Sequence, residues 1–243
     1  MADLKLDFLA FGAHPDDVEI TIGGTLLKLK KMGYKTGIVD FTRGESGTYG
    51  TVEQRKKESE KAAKILKVDV RENLELPDGA VRNTEESRLK VIEVIRKFKP
   101  EVVCAPVTKT RHPDHAQAGQ TVKEAAFLSG LEKLKTGQDK HRPSTVLFFP
   151  ELATYKPAFA VDVTEEWEEK IASIKAHASQ VYDENIQSDM VKTFIKSKDF
   201  WEIIEAKFRY FGGIIGTKYA EVFEMDGVPR VDDVISAFTR MIK

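Results

Sequence analysis

Cysteine is almost absent from this chain of 243 residues: Cys104 is the only one. An intramolecular disulfide is therefore excluded, and a reducing compartment is the natural expectation. Within Val102-Val103-Cys104-Ala105 the thiol reads as a small buried hydrophobe rather than a reactive nucleophile. Long apolar runs are missing too. No stretch approaches the roughly 20 residues of a membrane span. Met1-Ala2-Asp3-Leu4-Lys5 has neither the basic region nor the apolar core of a signal peptide. The expected location is the cytoplasm. Charge of one sign is not in excess: 38 Lys and Arg face 39 Asp and Glu, a formal net charge of -1. With no long basic block, affinity for nucleic acid or an anionic membrane has no electrostatic source. A Gly-x-Gly-x-x-Gly fingerprint is absent from the first strand-helix turn, and a Walker A sequence is absent as well. That removes two common glycine-rich phosphate cradles.

What is present is the composition of a soluble globular protein, 41% hydrophobic and 32% charged. Strand-type runs are expected at Leu6 to Phe11, Thr36 to Phe41, Val70 to Leu74, Glu101 to Ala105 and Thr145 to Phe149. Helical patterns fall between them, at Gly23 to Met32, Val52 to Leu66, Thr84 to Lys97 and Asp114 to Leu134. Thr51 with Gln54, and Asn83 with Glu86, have the spacing of capping boxes. Gly33 and Pro100 mark helix ends. Such alternation predicts an α/β fold: one Rossmann-like, three-layer domain over residues 1–243 with a mainly parallel sheet. The last third is less regular. Ala158 to Val163 and Tyr219 to Phe223 are candidate strands, Thr164 a candidate helix cap, Tyr182 to Asp189 a loop, and Phe200 to Phe211 a helix.

Two clusters carry the chemistry. Ala13-His14-Pro15-Asp16-Asp17 follows the first apolar run, and Arg111-His112-Pro113-Asp114-His115 follows the run Val102 to Val107. In an open α/β sheet, ligands bind beyond the strand C-termini. A lone His-Pro-Asp is an ordinary turn; two, each at a strand exit, suit a divalent cation, which accepts imidazole nitrogen and carboxylate oxygen. His14 and Asp17 can supply two ligands from one turn, with His115 the best third. His112 and His115, three apart, share a helix face, so both can bind, or one can bind while the other faces substrate. Asp16 and Asp17 are adjacent and cannot easily point the same way. One can coordinate while the other takes a proton from water whose pKa the cation has lowered to about 7. Asp114 can orient an imidazole. His141 and His177 lie outside both clusters, in polar contexts.

These motifs resemble the LmbE-like/PIG-L family of metal-dependent N-acetylglucosaminyl deacetylases, and the similarity spans nearly the whole chain. Thr42-Arg43-Gly44-Glu45-Ser46-Gly47-Thr48 with Arg55 is similar to the family's second block. Phe211-Gly212 through Gly216-Thr217-Lys218-Tyr219-Ala220-Glu221 is similar to a C-terminal block. That block, with Leu76-Pro77-Asp78-Gly79, looks most like the bacillithiol-biosynthesis branch, which deacetylates N-acetylglucosaminyl malate. The resemblance implies His14, Asp17 and His115 as metal ligands and Asp16 as general base. It implies His112 at the oxyanion or the leaving amine, held by Asp114. It also implies a homo-oligomer, a hexamer. Some relatives have a tyrosine where this chain has Phe200.

Zinc is the default metal by ligand type; iron or manganese accepts the same donors. Arg43, Arg55 and Arg111 are candidate anchors for a substrate carboxylate, which arginine pairs bidentately. The bland readings are a cap or a Glu45 pair for Arg43, and a solvated helix face for Arg55. Gly23-Gly24 suggests close packing at a helix start, and Thr42 to Gly50 a mobile loop at the rim of the site. Trp167 and Trp201 read as core or interface anchors. The expected function is hydrolysis of an N-acetyl group on an amino-sugar derivative. The same site would support an amidase on thiol conjugates. A metal-containing or nucleotide-binding module without catalysis would need no free carboxylate beside three ligands.

Overall fold

The computed structural model describes residues 4–151, 157–182 and 193–235. Seven strands form one sheet in the order β3-β2-β1-β4-β5-β7-β6. They are β1 Phe8–Gly12, β2 Thr36–Thr42, β3 Val70–Leu76, β4 Val102–Pro106, β5 Thr145–Phe149, β6 Phe159–Asp162 and β7 Ala220–Met225. The first five run parallel, and β7 pairs antiparallel with both β5 and β6. The fold is thus α/β with a mostly parallel, mixed sheet.

Alternation along the buried strands explains the layers. Phe8, Ala10, Ile38, Cys104 and Phe149 point to one face, where Ile22 and Leu26 of α1 (Asp17–Lys31) and Leu66 of α2 (Val52–Leu66) cover them. Leu9, Phe11, Val39, Phe41, Val103 and Ala105 point to the other. There α3 (Glu85–Phe98) and α4 (Pro113–Leu128) close the core. Side chains of a strand alternate between faces, so each central strand contributes to both cores. Cys104 is fully buried, and burial pushes its thiol well above the ordinary range, as a core role requires. On the α1 side of the sheet, α5 (Trp167–Lys175) and α6 (Asp199–Ile214) enclose a further cluster, in which Trp167 stacks on Tyr219 at 3.9 Å. Trp201 donates from Nε1 to the Tyr182 carbonyl. The expected loop after Tyr182 lies outside the described residues.

Several boundaries differ from the sequence reading, each for a local reason. The first helix starts at Asp17 rather than Gly23, because Asp16 and Asp17 form the turn and first helical position themselves. The Gly23-Gly24 pair is consequently interior to α1. α4 stops at Leu128 rather than Leu134. The buried guanidinium of Arg96 collects the carbonyls of Ser129, Leu131 and Leu134, which a continued helix would have used. The capping box of α3 lies one residue later than expected, on Thr84 and Ser87 instead of Asn83 and Glu86. At α2, Thr51 accepts from the Gln54 N-H, but the Gln54 side chain turns to Glu58. Thr164 does not cap a helix with its hydroxyl. That oxygen accepts from the Tyr219 N-H, while Asp162 accepts from the Thr164 N-H.

The two α1 glycines make a contrast that can be measured. A Cβ on Gly24 would lie 2.8 Å from Val163 Cβ, whereas one on Gly23 would meet nothing closer than 3.5 Å. Gly24→Ala is expected to cost about 1–3 kcal/mol through overpacking. Gly23→Ala is expected to change stability by less than about 1 kcal/mol. Urea denaturation midpoints check both; equal losses would contradict the packing described.

Candidate active site

The strand order reverses direction between β1 and β4: from β1 the chain moves outward through β2 and β3, then returns to β4 on the other side. Such a switch point opens a crevice beyond the strand C-termini. Both His-Pro-Asp motifs exit there, side by side, since β1 and β4 are hydrogen-bonded neighbours.

The first motif is locked by its own backbone. The Ala13 carbonyl accepts from both the N-H and the hydroxyl of Thr42, tying the loop to the end of β2. The His14 carbonyl accepts from the N-H groups of Asp16 and Asp17, and the His14 N-H donates to Asp17 Oδ2 at 2.9 Å. Asp16 carries the strain of this tight turn, with φ 154° in a non-glycine residue. The second motif begins α4. His112 is its N-cap, with Nδ1 accepting from the Asp114 N-H, and Pro113 occupies a first-turn position that needs no donor.

Three side chains converge. His14 Nδ1 is 3.1 Å from His115 Nε2, His115 Nε2 is 3.3 Å from Asp17 Oδ1, and Asp17 Oδ2 is 3.6 Å from His14 Nδ1. Tetrahedral ligation at about 2.0–2.2 Å separates donor atoms by about 3.3–3.6 Å. The pairwise spacings are of that size, with the two imidazoles meeting different oxygens of the Asp17 carboxylate. Among the described residues, the groupings whose three donor atoms all lie within 4.8 Å of one another are His14 with His112 and His115, and His14 with Asp78 and Asp114; Asp17 is in neither. The carboxylates of the latter are already engaged. Asp114 accepts from the N-H groups of Gly79 and Val81, and Asp78 from that of Ser46. Both stand at the opposite ring nitrogen, His14 Nε2, at 3.1 Å for Asp78 and 3.5 Å for Asp114. A carboxylate there fixes the ring and leaves Nδ1 facing Asp17 and His115. Glu151 Oε1 contacts His115 Nδ1 in the same way, and also accepts from the Thr110 hydroxyl.

The charges are mutually dependent. Burial works against ionised Asp17, but His115 and His14 together hold it well below the usual carboxylate range. Burial also disfavours charged His14, yet Asp114, Asp17 and Asp78 raise its pKa well above the ordinary value. His115 is raised likewise, by Asp17 and Glu151 acting against its burial. Asp16 goes the other way. Burial pushes its carboxyl up, only partly offset by Arg55. His112 is lowered by burial and by the neighbouring imidazoles, on one of which, His115, it stacks at 4.6 Å.

The residues singled out in the sequence separate into three placements. His14, Asp16, Asp17, His112 and His115 line one cavity of about 460 Å³, with Asp114 buried beneath it. Asp114 is placed on His14 rather than on His112. Arg111 also lines the cavity and makes no ion pair among the described residues. Arg55 reaches the cavity but is buried, donating to the carbonyls of Gly44 and Pro15 and lying 3.7 Å from Asp16. A Cβ on Gly44, which has φ 72°, would collide with that guanidinium. Arg43 stays outside, facing Glu45. The 42–50 segment does form the rim, but it is fastened: Ser46 bonds Asp78, and the Gln180 amide donates to the Tyr49 carbonyl. Phe200, Phe194, Ile204 and Ile20 form the apolar wall. His177 is fully buried, with Nε2 3.2 Å from Glu19 Oε1. Gly24 turns its N-H to Glu221.

Asp78 and Glu151 had no role in the sequence reading. A positional signal was available, because each comes two residues past the end of a parallel strand, β3 and β5.

The family model described as PIG-L, GlcNAc-PI de-N-acetylase, matches residues 9–126, from β1 through most of α4 and including both motifs. Diacetylchitobiose deacetylase of Thermococcus kodakarensis is 32% identical, over 88% of this chain and 80% of its own. The 4-oxalmesaconate hydratase of Pseudomonas putida is 26% identical, over 71% of this chain and 73% of its own. Among solved structures, a conserved protein from Thermus thermophilus has a TM-score of 0.84 and 36% identity, covering 93% of this chain and 98% of that one.

Zinc titration of metal-free protein tests the donor assignment. Alanine at His14, Asp17 or His115 should abolish stoichiometric binding. Asp78→Ala should weaken it by about 10–100-fold, the usual cost of losing a carboxylate behind a ligand. Arg43→Ala should leave it unchanged.

Proposed function

We propose that this chain, which belongs to the PIG-L/LmbE-like deacetylase family, is a zinc-dependent hydrolase that removes the N-acetyl group from an N-acetylglucosamine derivative. The substrate we favour is N-acetylglucosaminyl malate, of bacillithiol biosynthesis. One observation carries the reading: Asp16 is buried at the edge of the three-donor cluster yet is not one of its donors. A binding site has no use for a strained, partly uncompensated carboxylate in that place; a hydrolase needs a base.

A cation held by His14 Nδ1, Asp17 and His115 Nε2 would supply Lewis acidity toward the amide carbonyl and acidify a water. The side chains then divide the proton work. Asp16 accepts a proton from the attacking water as the new C-O bond forms. Arg55, at 3.7 Å, holds that carboxylate in place without giving it a closer, competing hydrogen bond. His112 stands over the donor cluster, 4.8 Å from the His14 ring, and stabilises the oxyanion of the tetrahedral intermediate. As the C-N bond breaks, the proton passes from Asp16 or His112 to the departing amine. Acetate and a free amino sugar result. Asp78, Asp114 and Glu151 keep the two ligand imidazoles fixed throughout.

Malate recognition falls to Arg111, the one candidate arginine at the cavity whose guanidinium has no ion partner among the described residues. A cytoplasmic location suits a protein with one unpaired, buried cysteine. The homo-oligomer that the family resemblance implies would cover Ile203, Tyr210 and Ile214, exposed together on α6. Light scattering at six times 27.4 kDa would support the hexamer.

The deciding assay is acetate release from N-acetylglucosaminyl malate and from plain N-acetylglucosamine, with and without chelator. Chelation should abolish release and zinc should restore it. Asp16→Asn should lower kcat by at least about 100-fold, within the usual range for general-base loss, with zinc occupancy unchanged. Arg111→Ala should raise KM for the malate compound and not for plain N-acetylglucosamine. No acetate release from either sugar would overturn the reading, and a hydratase, as in the Pseudomonas relative, would be the next assay. Equal rates on both sugars would remove malate alone.

A further inference from the structure

The first helix is not continuous. At Ile22 the backbone leaves helical values, with φ -131° and ψ 18°. In an unbroken helix the N-H groups of Gly24 and Thr25 would bond the carbonyls of Ile20 and Thr21. Here both donate instead to one carboxylate, Glu221 of β7, to Oε1 at 2.9 Å and Oε2 at 2.7 Å. On the other side of the break, the carbonyls of Glu19 and Ile20 accept from Lys170 Nζ of α5, at 3.0 and 2.9 Å. Lys170 and Glu221 also pair with each other at 2.7 Å, and both are fully buried.

The arrangement has the logic of two helices joined end to end. The acid sits at the N-terminus of the second segment and the base at the C-terminus of the first, each where the helix dipole favours its sign. Gly24 allows the close approach, since a Cβ there would lie 3.0 Å from Glu221 Oε1. A straight helix would have satisfied these main-chain groups unaided. Burying a lysine and a glutamate in their place costs desolvation, and such pairs are often replaceable by apolar residues without loss of stability. The break therefore has a use other than stability, and the first segment shows which. It spans one turn and carries Asp17 at its start, with Asp16 as its N-cap and the Thr21 hydroxyl bonded to the Asp17 carbonyl.

We propose that Lys170 and Glu221 are positioning residues for the metal site: they hold the first turn of α1 at its own angle, so that Asp17 meets His14 and His115. This rests on the reading of those three side chains as metal ligands. It gives Lys170 and Glu221 a part in a metal site whose cavity they do not line.

The test uses the full chain and readouts other than turnover. In the wild-type protein, the Gly24 and Thr25 amides should be protected from hydrogen exchange as strongly as core strand amides. The variant K170M/E221M removes both charges together and leaves the helix to close its own bonds, Gly24 N-H to the Ile20 carbonyl and Thr25 N-H to the Thr21 carbonyl. It should keep its thermal midpoint within a few degrees. Its zinc affinity, measured by chelator competition, should fall at least tenfold, and the visible spectrum of the cobalt-substituted protein should change. A folded double variant with wild-type zinc affinity and cobalt spectrum overturns the proposal, as does rapid exchange of the two amides. If the variant does not fold, the wild-type amide exchange still decides. If wild-type protein binds no zinc, the metal reading itself has failed, an outcome distinct from a wild type that binds and a variant that binds equally well.

Discussion

Everything at the site turns on the grip on one imidazole. The ring nitrogens of His14 point in opposite directions, and each is claimed by carboxylates. Asp17 and the facing nitrogen of His115 stand at Nδ1, while Asp78 and Asp114 stand at Nε2. A ring held by two carboxylates at its back cannot rotate or exchange nitrogens, so the direction of its remaining lone pair is fixed. His115 is held by the same device, with Glu151 at Nδ1. Four carboxylates thus meet two imidazoles in a largely buried volume, an excess of negative charge that a divalent cation would partly offset. In the proposed hydrolysis, Asp16 beside them is the group left available for proton transfer.

That grip is assembled from the ends of different elements. Asp17 comes from the exit of β1, Asp78 from that of β3, His115 from the helix after β4 and Glu151 from the exit of β5. The parallel sheet aligns these exits along one edge, and the reversal of strand order between β1 and β4 opens the space they line. The C-terminal third contributes differently. Through Phe200 and Ile204 it provides an apolar wall. Through Lys170 and Glu221 it fills the break in α1. Lys207 adds a third tie, donating to the carbonyls of Pro150 and Glu151 and so fixing the segment that presents the Glu151 carboxylate to His115.

Much of this could be read before the structure. The alternating strands and helices of the first 150 residues announce themselves by periodicity, and α2 and β5 begin and end where the pattern says they should. The two His-Pro-Asp clusters stand out because their residue types have no reason to recur at strand exits otherwise. Boundaries were harder where long-range contacts overrule local preference. Arg96 ends α4 from a distance, and Glu221 and Lys170 permit Gly23-Gly24, which looks like a helix start, to lie within α1. The arginines show the same limit. Nothing in Glu53-Gln54-Arg55-Lys56 reveals that Arg55 turns inward to main-chain carbonyls while its neighbours face solvent.

The sequence by itself determined the layered α/β class, the fate of Cys104, and the set of side chains from which a metal site could be built, because these depend on periodicity and on donor chemistry. Only the tertiary structure decided which nitrogen of His14 faces Asp17 and His115, that the Asp114 carboxylate meets His14 rather than its chain neighbour His112, that Asp78 and Glu151 stand against the two imidazoles, and that Lys170 and Glu221 fill the break in α1. Those are questions of direction and of contact between residues up to about two hundred positions apart. A local pattern records which face of an element a side chain lies on, and the packing of the other elements records what it meets there.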